Sequence, residues 1–238
     1  MDLIEIGLHT GGYLPSVLRG ASENGSPRTA EDNRLQRYEL QSFLTPPCLL
    51  FREQQAKLTY PEINDVFAVL FPHTYDDTDI YSALLNYTRH IPRDFVQLMN
   101  YIKLHCDSNK VTKSAISKGI KEYSTEYFLP EISNELSGYL PGSAIQPVFN
   151  IISSLRSQSF TYEQFESKCK DVVALKEIDP TEILKVLYDC SAIGHSHYYI
   201  EYGGSRILYK YRNRSSSFVH TDKILLHRGL WKSMNVSY

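Results

Sequence analysis

The chain has 238 residues, a formal net charge of −2 and a hydrophobic content of 42%. This length corresponds to one large domain or two small ones, and the apolar content predicts a folded core and excludes global disorder. The near-neutral charge provides no overall attraction to nucleic acid or to a membrane surface. No apolar run reaches the roughly 18 residues that a membrane-spanning helix needs, and the first residues lack the basic start of a signal peptide. We therefore expect a soluble, cytoplasmic protein.

Residues 1–58 have no clear periodicity. The small, polar stretch at residues 20–33 predicts a linker. Residues 34–44 could form a short helix, which Pro46 and Pro47 would end. This first segment is therefore predicted to be partly flexible.

Helical periodicity dominates the second predicted domain, residues 59–146. Thr59 and Asp79 can each cap a helix, and Pro92 can open another. Pro130 is expected to break or kink a later helix. The pattern predicts a compact helical unit.

The third predicted domain, residues 147–238, follows a turn-rich joint at residues 141–147. Its three predicted helices are residues 148–158, 160–172 and 179–194. Gly194 is the expected stop of the last helix. Two Tyr/Ile-rich strands around Gly203 and Gly204 then predict a β-hairpin. Three helices followed by a two-stranded wing are typical of a winged-helix domain.

The cysteines and histidines of the chain do not predict a metal site. The cysteines are too far apart for a Cys-x-x-Cys motif, and we expect reduced, mostly buried thiols. They are Cys48, Cys106, Cys169 and Cys190. His195 and His197 alternate along a predicted strand, but no carboxylate or thiol stands at a convincing spacing beside them. We expect no bound metal.

Basic residues are concentrated in the last part of the sequence. From Gly204 onwards there are seven Lys or Arg and one acid, Asp222, so this stretch carries +6 and the first 203 residues carry −8. The seven cations are Arg206, Lys210, Arg212, Arg214, Lys223, Arg228 and Lys232. A winged helix commonly uses wing cations to neutralise phosphates. The stretch predicts contact with nucleic acid or with an acidic protein, and a solvated surface is the alternative.

The third predicted helix of this domain does not have the composition of a base-reading helix. It contributes Glu182 and Asp189 against Lys185, and it contains no Arg, Asn or Gln. Base edges are read mainly by those three residue types, and the acids would face phosphates in the usual docking pose. Sequence-specific DNA binding is therefore not expected, and a protein partner is favoured.

Four short motifs resemble the C-terminal half of a family of bacterial P-loop ATPases. They are NYTRHIPRDFVQLMNYI at 86–102, SNELSGYLP at 133–141, LYDCSAIG at 187–194 and HRGLWKSMNV at 227–236. That family is related to the AAA+ and STAND groups and is often found among prophage and defence genes. The resemblance implies a mainly α fold for residues 59–238. A helical lid-like bundle would precede a winged-helix domain with a C-terminal β-hairpin.

The resemblance also implies a nucleotide-sensing role for Arg93. In lids of this kind, an Arg at a helix start reaches the phosphates of nucleotide in the neighbouring domain. Pro92 and the helix N-terminus would favour that anion. Ile91 stands where the family motif usually has its first Arg. The alternative is that Arg93 and Asp94 satisfy the first helical turn and pair with neighbours, which we expect for the chain alone.

The sequence contains no recognisable P-loop. The nearest match to G-x-x-x-x-G-K-[ST] has Gly20 and Gly25 at the right separation, but Ser26 and Pro27 replace the residues that hold phosphate and Mg²⁺. We expect no catalytic residues, no resident cofactor and no ATP hydrolysis. ATP and Mg²⁺ would be bound only where a P-loop domain is supplied in trans.

These observations together predict a non-catalytic binding module derived from a P-loop ATPase. It would engage a protein partner, for example a separate P-loop ATPase, or nucleic acid through its winged helix. The alternatives are a DNA-binding winged-helix regulator and an ATPase subunit that works with a separate P-loop domain. No membrane partner is expected.

Overall fold

A computed structural model describes residues 69–106, 110–199 and 204–236. The predicted linker at residues 20–33, the predicted helix at residues 34–44 and the helix start at Thr59 lie outside the described residues. Cys48 and Gly203 lie outside them too. Within the described part, the fold is mainly α-helical.

The described chain begins with a small hairpin and two helices. Strands β1 (Thr74–Tyr75) and β2 (Thr78–Asp79) pair antiparallel and lead into α1 (Ile80–Leu85) and α2 (Pro92–Leu104). The side chain of Asp79 accepts a hydrogen bond from the Ser82 backbone amide, so the predicted cap is confirmed. Pro92 occupies the first turn of α2, also as predicted.

Helix α3 (Lys113–Glu122) continues through a π-helical turn (Tyr123–Phe128) into α4 (Leu129–Leu136). Pro130 therefore does not break the helix, and the irregularity lies in the turn before it. A proline cannot donate to the preceding turn, and a local change of helical register accommodates that loss. Helices α2 and α3 pack very closely, because a β-carbon at Gly119 would lie 2.5 Å from the Ile102 Cα.

The prediction of a turn-rich joint at residues 141–147 is wrong. Helix α5 (Gly142–Leu155) begins at Gly142 and contains Pro147. One face of this helix buries Ala144, Ile145 and Val148. Burial of an aliphatic side chain contributes about 1.5–3 kcal/mol, which offsets the roughly 3 kcal/mol cost of an interior proline. Tertiary packing thus overrides the local turn signals.

After α5 come β3 (Ser159–Phe160), α6 (Tyr162–Lys170), a 3₁₀ turn (Val173–Leu175) and α7 (Pro180–Asp189). Two predicted caps are confirmed. Thr161 forms a reciprocal capping box with Gln164, and Asp179 accepts from the Thr181 amide.

The predicted helix stop at Gly194 is wrong. Helix α7 ends at Asp189, and Ser191 makes the left-handed turn with φ of 62°. Gly194 lies inside the next strand, where a β-carbon would lie 2.6 Å from the Tyr209 ring and 2.7 Å from the Leu208 carbonyl oxygen. This glycine is needed for packing within the sheet rather than for ending a helix.

The predicted hairpin is present, but it belongs to a larger sheet. Strands β4 (Ile193–Tyr199) and β5 (Gly204–Leu208) pair antiparallel, with His197 opposite Arg206. A further strand, β6 (Lys223–Leu226), lies between β3 and β4, giving the order β3-β6-β4-β5. Strands β3 and β6 were not predicted, because strands of two and four residues are too short to show an alternating apolar pattern.

The motif at residues 227–236 packs against the helices of the first part of the fold. A β-carbon at Gly229 would lie 2.6 Å from the Tyr87 carbonyl oxygen, so only glycine allows this approach. The Ser124 hydroxyl donates to the Gly229 carbonyl at 2.6 Å and accepts from the Ser233 amide at 3.0 Å. One buried hydrophobic cluster includes residues of both predicted domains, 59–146 and 147–238. The domain boundary at residue 146 stays a prediction.

No described helix is both long and apolar enough to cross a membrane.

Candidate functional site

The loop before α2 is organised by a buried ion pair between Arg89 and Asp94. Asp94 is fully buried and accepts from the Arg89 Nε at 2.9 Å and from the Arg89 backbone amide at 3.2 Å. Arg89 also forms an ion pair with Glu135 on α4. Burial opposes the charge of Arg89, but the hydrogen bonds and charges of Asp94 and Glu135 outweigh it and raise the pKa of the guanidinium.

Arg93 points outward from the same helix start and is already engaged. Its side chain is 58% exposed, forms an ion pair with Glu131 and lies over the Tyr127 ring, 6.0 Å from the centroid. This arrangement agrees with the alternative in which Arg93 pairs with neighbouring side chains. The nucleotide-sensing role of Arg93 stays a prediction.

Tyr127 connects this loop to the π-helical turn. Its hydroxyl donates to the Asp94 Oδ1 at 3.0 Å, and burial together with the nearby Asp94 charge raises the pKa of Tyr127 to about 12. The phenol therefore stays protonated at neutral pH and acts as a hydrogen-bond donor. Sequence reasoning missed Tyr127, Arg89 and Glu135. Tyr127 and Glu135 lie 33 and 46 residues from the groups that they contact and give no local signal, whereas Arg89, five residues before Asp94, was close enough to be considered.

A family model described as a FunZ-associated C-terminal helical domain matches residues 49–129. The match fits a C-terminal helical part of a larger protein. It includes the whole Arg89–Asp94 loop, α1 to α3 and the π-helical turn. No curated protein and no solved structure matches the chain.

The basic residues of the sheet region divide into exposed and engaged groups. Arg206, Arg214 and Lys223 are exposed, and none of their side chains has a hydrogen bond or ion pair within the described residues. Lys210 donates to the Ser216 carbonyl at 2.9 Å and lies 3.6 Å from an Asp189 carboxylate oxygen. The remaining three cations are Arg212, Arg228 and Lys232, of which the two arginines contact aromatic rings.

The outer face of the sheet combines exposed apolar side chains with positive charge. Ser196 lies opposite both Ile207 and Lys223, so these three side chains form one row across β5, β4 and β6. Ile207 is 46% exposed, and Tyr198, two residues along β4 on the same face, is 59% exposed. The residues of this row and Tyr198 are called the wing face below.

Helix α7 exposes a short polar surface with balanced charges. The Lys185 Nζ lies 3.7 Å from a Glu182 carboxylate oxygen, while Asp189 faces Lys210. Pairs this exposed contribute little to stability. They do reduce the negative field of the helix that the sequence led us to expect.

Asp222 holds two histidines on the opposite face of the sheet. The His195 Nδ1 lies 2.7 Å from the Asp222 Oδ2, and the His197 Nδ1 lies 3.0 Å from the same oxygen. The sequence places Asp222 25 residues or more from both histidines, so their contact was missed. Within the described residues, no three His, Cys, Asp or Glu side chains are placed to hold a metal ion.

The described cysteines are free thiols. Burial raises the pKa of Cys169 to about 11 and the pKa of Cys190 to about 12. A thiol with such a pKa is almost entirely protonated at neutral pH, so these two side chains are poor nucleophiles.

Proposed function

We propose that this chain is a non-catalytic binding module of a P-loop ATPase, and that it docks on an acidic protein surface through the wing face. The proposal is supported by the order α5-β3-α6-α7-β4-β5 followed by β6. A winged helix with an enlarged wing, made of β5 and the loop after it, is expected to have this order.

The observation that carries the proposal is the composition of the wing face. Tyr198 and Ile207 expose apolar area beside Lys223, while Arg206, which lies opposite His197, projects from the other face of the same hairpin. Aromatic and aliphatic side chains bordered by cations are typical of protein interfaces, whereas phosphate-binding surfaces need no exposed Ile. The absence of an ion-pair partner for Lys223 and Arg206 among the described residues favours a partner with negative charge.

The relation to P-loop ATPases is supported by the way the four motifs pack. The Arg89–Glu135 ion pair joins the first motif to the second, and the approach of Gly229 to Tyr87 joins the first to the fourth. The His227 backbone amide donates to the Ala192 carbonyl at 2.9 Å, which joins the fourth motif to the third. Motifs that meet in one place are expected to serve one function.

Nucleic-acid binding is the second candidate. It is favoured by the exposed cations Arg206, Arg214 and Lys223, and by the pairing of the α7 acids with lysines. Contacts of this kind would neutralise phosphates without reading sequence.

The test compares two triple variants of the full chain. The wing variant removes the cation of the wing face with Lys223→Gln and two other exposed cations of this region with Arg206→Gln and Arg214→Gln. The control removes the same charge from α3 with Lys113→Gln, Lys118→Gln and Lys121→Gln, which are exposed positions far along the chain from the wing. Each is used to capture partners by crosslinking and is titrated with duplex DNA at two salt concentrations.

An acidic protein that the wild type and the control retain, and that the wing variant loses, supports docking. DNA binding whose log–log salt slope falls by about 0.9 for each removed cation supports the second candidate and overturns the first. Equal capture by both variants, with no change in DNA binding, overturns both.

A further inference from the structure

The arginines of the described chain differ in what neutralises them. Arg89 has Asp94 and Glu135, and Arg93 has Glu131. Arg212 and Arg228 have no carboxylate within ion-pair distance among the described residues, yet both are held in place by other side chains. Positioned guanidinium groups without a counter-ion are unusual and suggest an external anion.

Arg212 is fixed by an amide and two rings. Its guanidinium donates to the Asn86 Oδ1 at 3.2 Å and lies 5.7 Å from the Tyr209 centroid and 5.6 Å from the Tyr211 centroid. The two rings are themselves stacked, with centroids 5.3 Å apart. A guanidinium has five N–H donors, so those that are not used by Asn86 and Tyr211 remain able to donate.

Arg228 reaches the same turn of the chain from the 3₁₀ segment Arg228–Leu230. Its guanidinium lies 5.6 Å from the Tyr87 centroid and 5.0 Å from the Trp231 centroid. Asn86 and Tyr87 are adjacent, so the two arginines contact neighbouring residues. The ring of His227, the residue before Arg228, lies 5.4 Å from the Tyr209 centroid and 5.5 Å from the Tyr211 centroid, and these are the two rings that hold Arg212.

Two guanidinium charges at this position have no ion-pair partner among the described residues. Arg228 is half-buried, so part of its hydration is lost without an ion pair to replace it. The Asp76 carboxylate accepts from the Tyr87 hydroxyl at 3.0 Å and forms no ion pair with either arginine. An anion at this position would restore the lost electrostatic stabilisation.

We propose that Arg212 and Arg228, together with the Asn86 amide, bind a phosphate group of a small phosphorylated ligand at the junction of α1 and the sheet. Guanidinium groups present planar pairs of N–H donors that match phosphate oxygens. Because Arg228 is half-buried, the site accepts a compact anion in preference to a broad polyanion. This site does not depend on the partner of the wing face.

The experiment is a calorimetric titration of the full chain with inorganic pyrophosphate at low ionic strength. Arg212→Gln is expected to weaken binding about tenfold, since hydrogen bonds to charged groups are among the stronger ones. Arg156→Gln is the matched control, because Arg156 is exposed and contacts no aromatic ring in the described structure. Arg228→Lys keeps the charge but loses the planar donor pair, so it is also expected to weaken binding.

The outcomes decide the proposal. Pyrophosphate binding that weakens in Arg212→Gln and Arg228→Lys, and not in Arg156→Gln, supports it. Equal weakening in all three variants would mean a diffuse charge effect and would overturn it. Undetectable pyrophosphate binding by the wild type, or binding of duplex DNA alone, would overturn it as well. Arg212 is exposed, so its variant remains informative if changes at Arg228 prevent folding.

Discussion

Replacing Asp94 by Asn is expected to destabilise the fold severely. The Asp94 carboxylate accepts from the Arg89 Nε, from the Arg89 backbone amide and from the Tyr127 hydroxyl, all within 3.2 Å. Removing one partner of a buried ion pair costs about 3–5 kcal/mol, because the other charge stays buried. Glu135 still contacts Arg89, so we expect the lower end, about 3 kcal/mol.

Urea unfolding followed by the fluorescence of the single tryptophan, Trp231, measures this change. Glu131→Gln removes the partner of the exposed Arg93 and should cost less than about 1 kcal/mol. A combined Arg89→Met and Asp94→Leu variant should recover part of the loss, since no lone charge then remains buried. A loss below about 1 kcal/mol in Asp94→Asn would refute the assignment of Asp94 as the buried counter-ion.

Three further predictions concern packing, pH and nucleotide. Gly194→Ala should lower stability by about 1–3 kcal/mol in thermal denaturation, because its β-carbon would meet the Tyr209 ring, whereas Gly142→Ala has open space and should be tolerated. Burial holds the pKa of His227 well below 6.5, so the unfolded chain binds the extra proton and stability falls as pH drops below about 6.5, by up to about 1.4 kcal/mol per pH unit. His227→Asn should flatten this dependence in urea titrations between pH 7.5 and 5.5, and an unchanged slope would contradict the reasoning. The purified chain should show no ATP turnover in a phosphate-release assay, and turnover that disappears with Arg93→Ala would contradict the absence of a working nucleotide site.

Local signals predicted the helices well. Asp79, Thr161 and Asp179 cap the helices that follow them, because each cap depends only on residues two or three positions away. Pro147 and Gly194 were misinterpreted for the opposite reason. Their surroundings are set by packing against distant residues, and a proline or glycine alone does not distinguish a turn from a crowded interior.

The candidate sites were harder to predict than the helices. The seven cations could be recognised from composition, but their partners could not. Arg89 meets Glu135 across 46 residues, and Arg212 meets Asn86 across 126. Contacts between residues this far apart in the sequence decide which arginine is neutralised by a carboxylate. They also decide which arginine is held only by aromatic rings and an amide. The sequence therefore identified a charged stretch without separating the wing face from the arginine pair.

The contacts of Ser124 have a practical consequence for dividing this protein into fragments. Its hydroxyl joins the π-helical turn to two backbone groups in the segment that follows β6. A fragment that stops before residue 227 would expose Tyr87 and Phe128, which are fully buried against that segment. Recombinant boundaries and domain exchanges should therefore keep residues 69–136 and 227–236 in the same polypeptide, although some 90 residues separate them in the sequence.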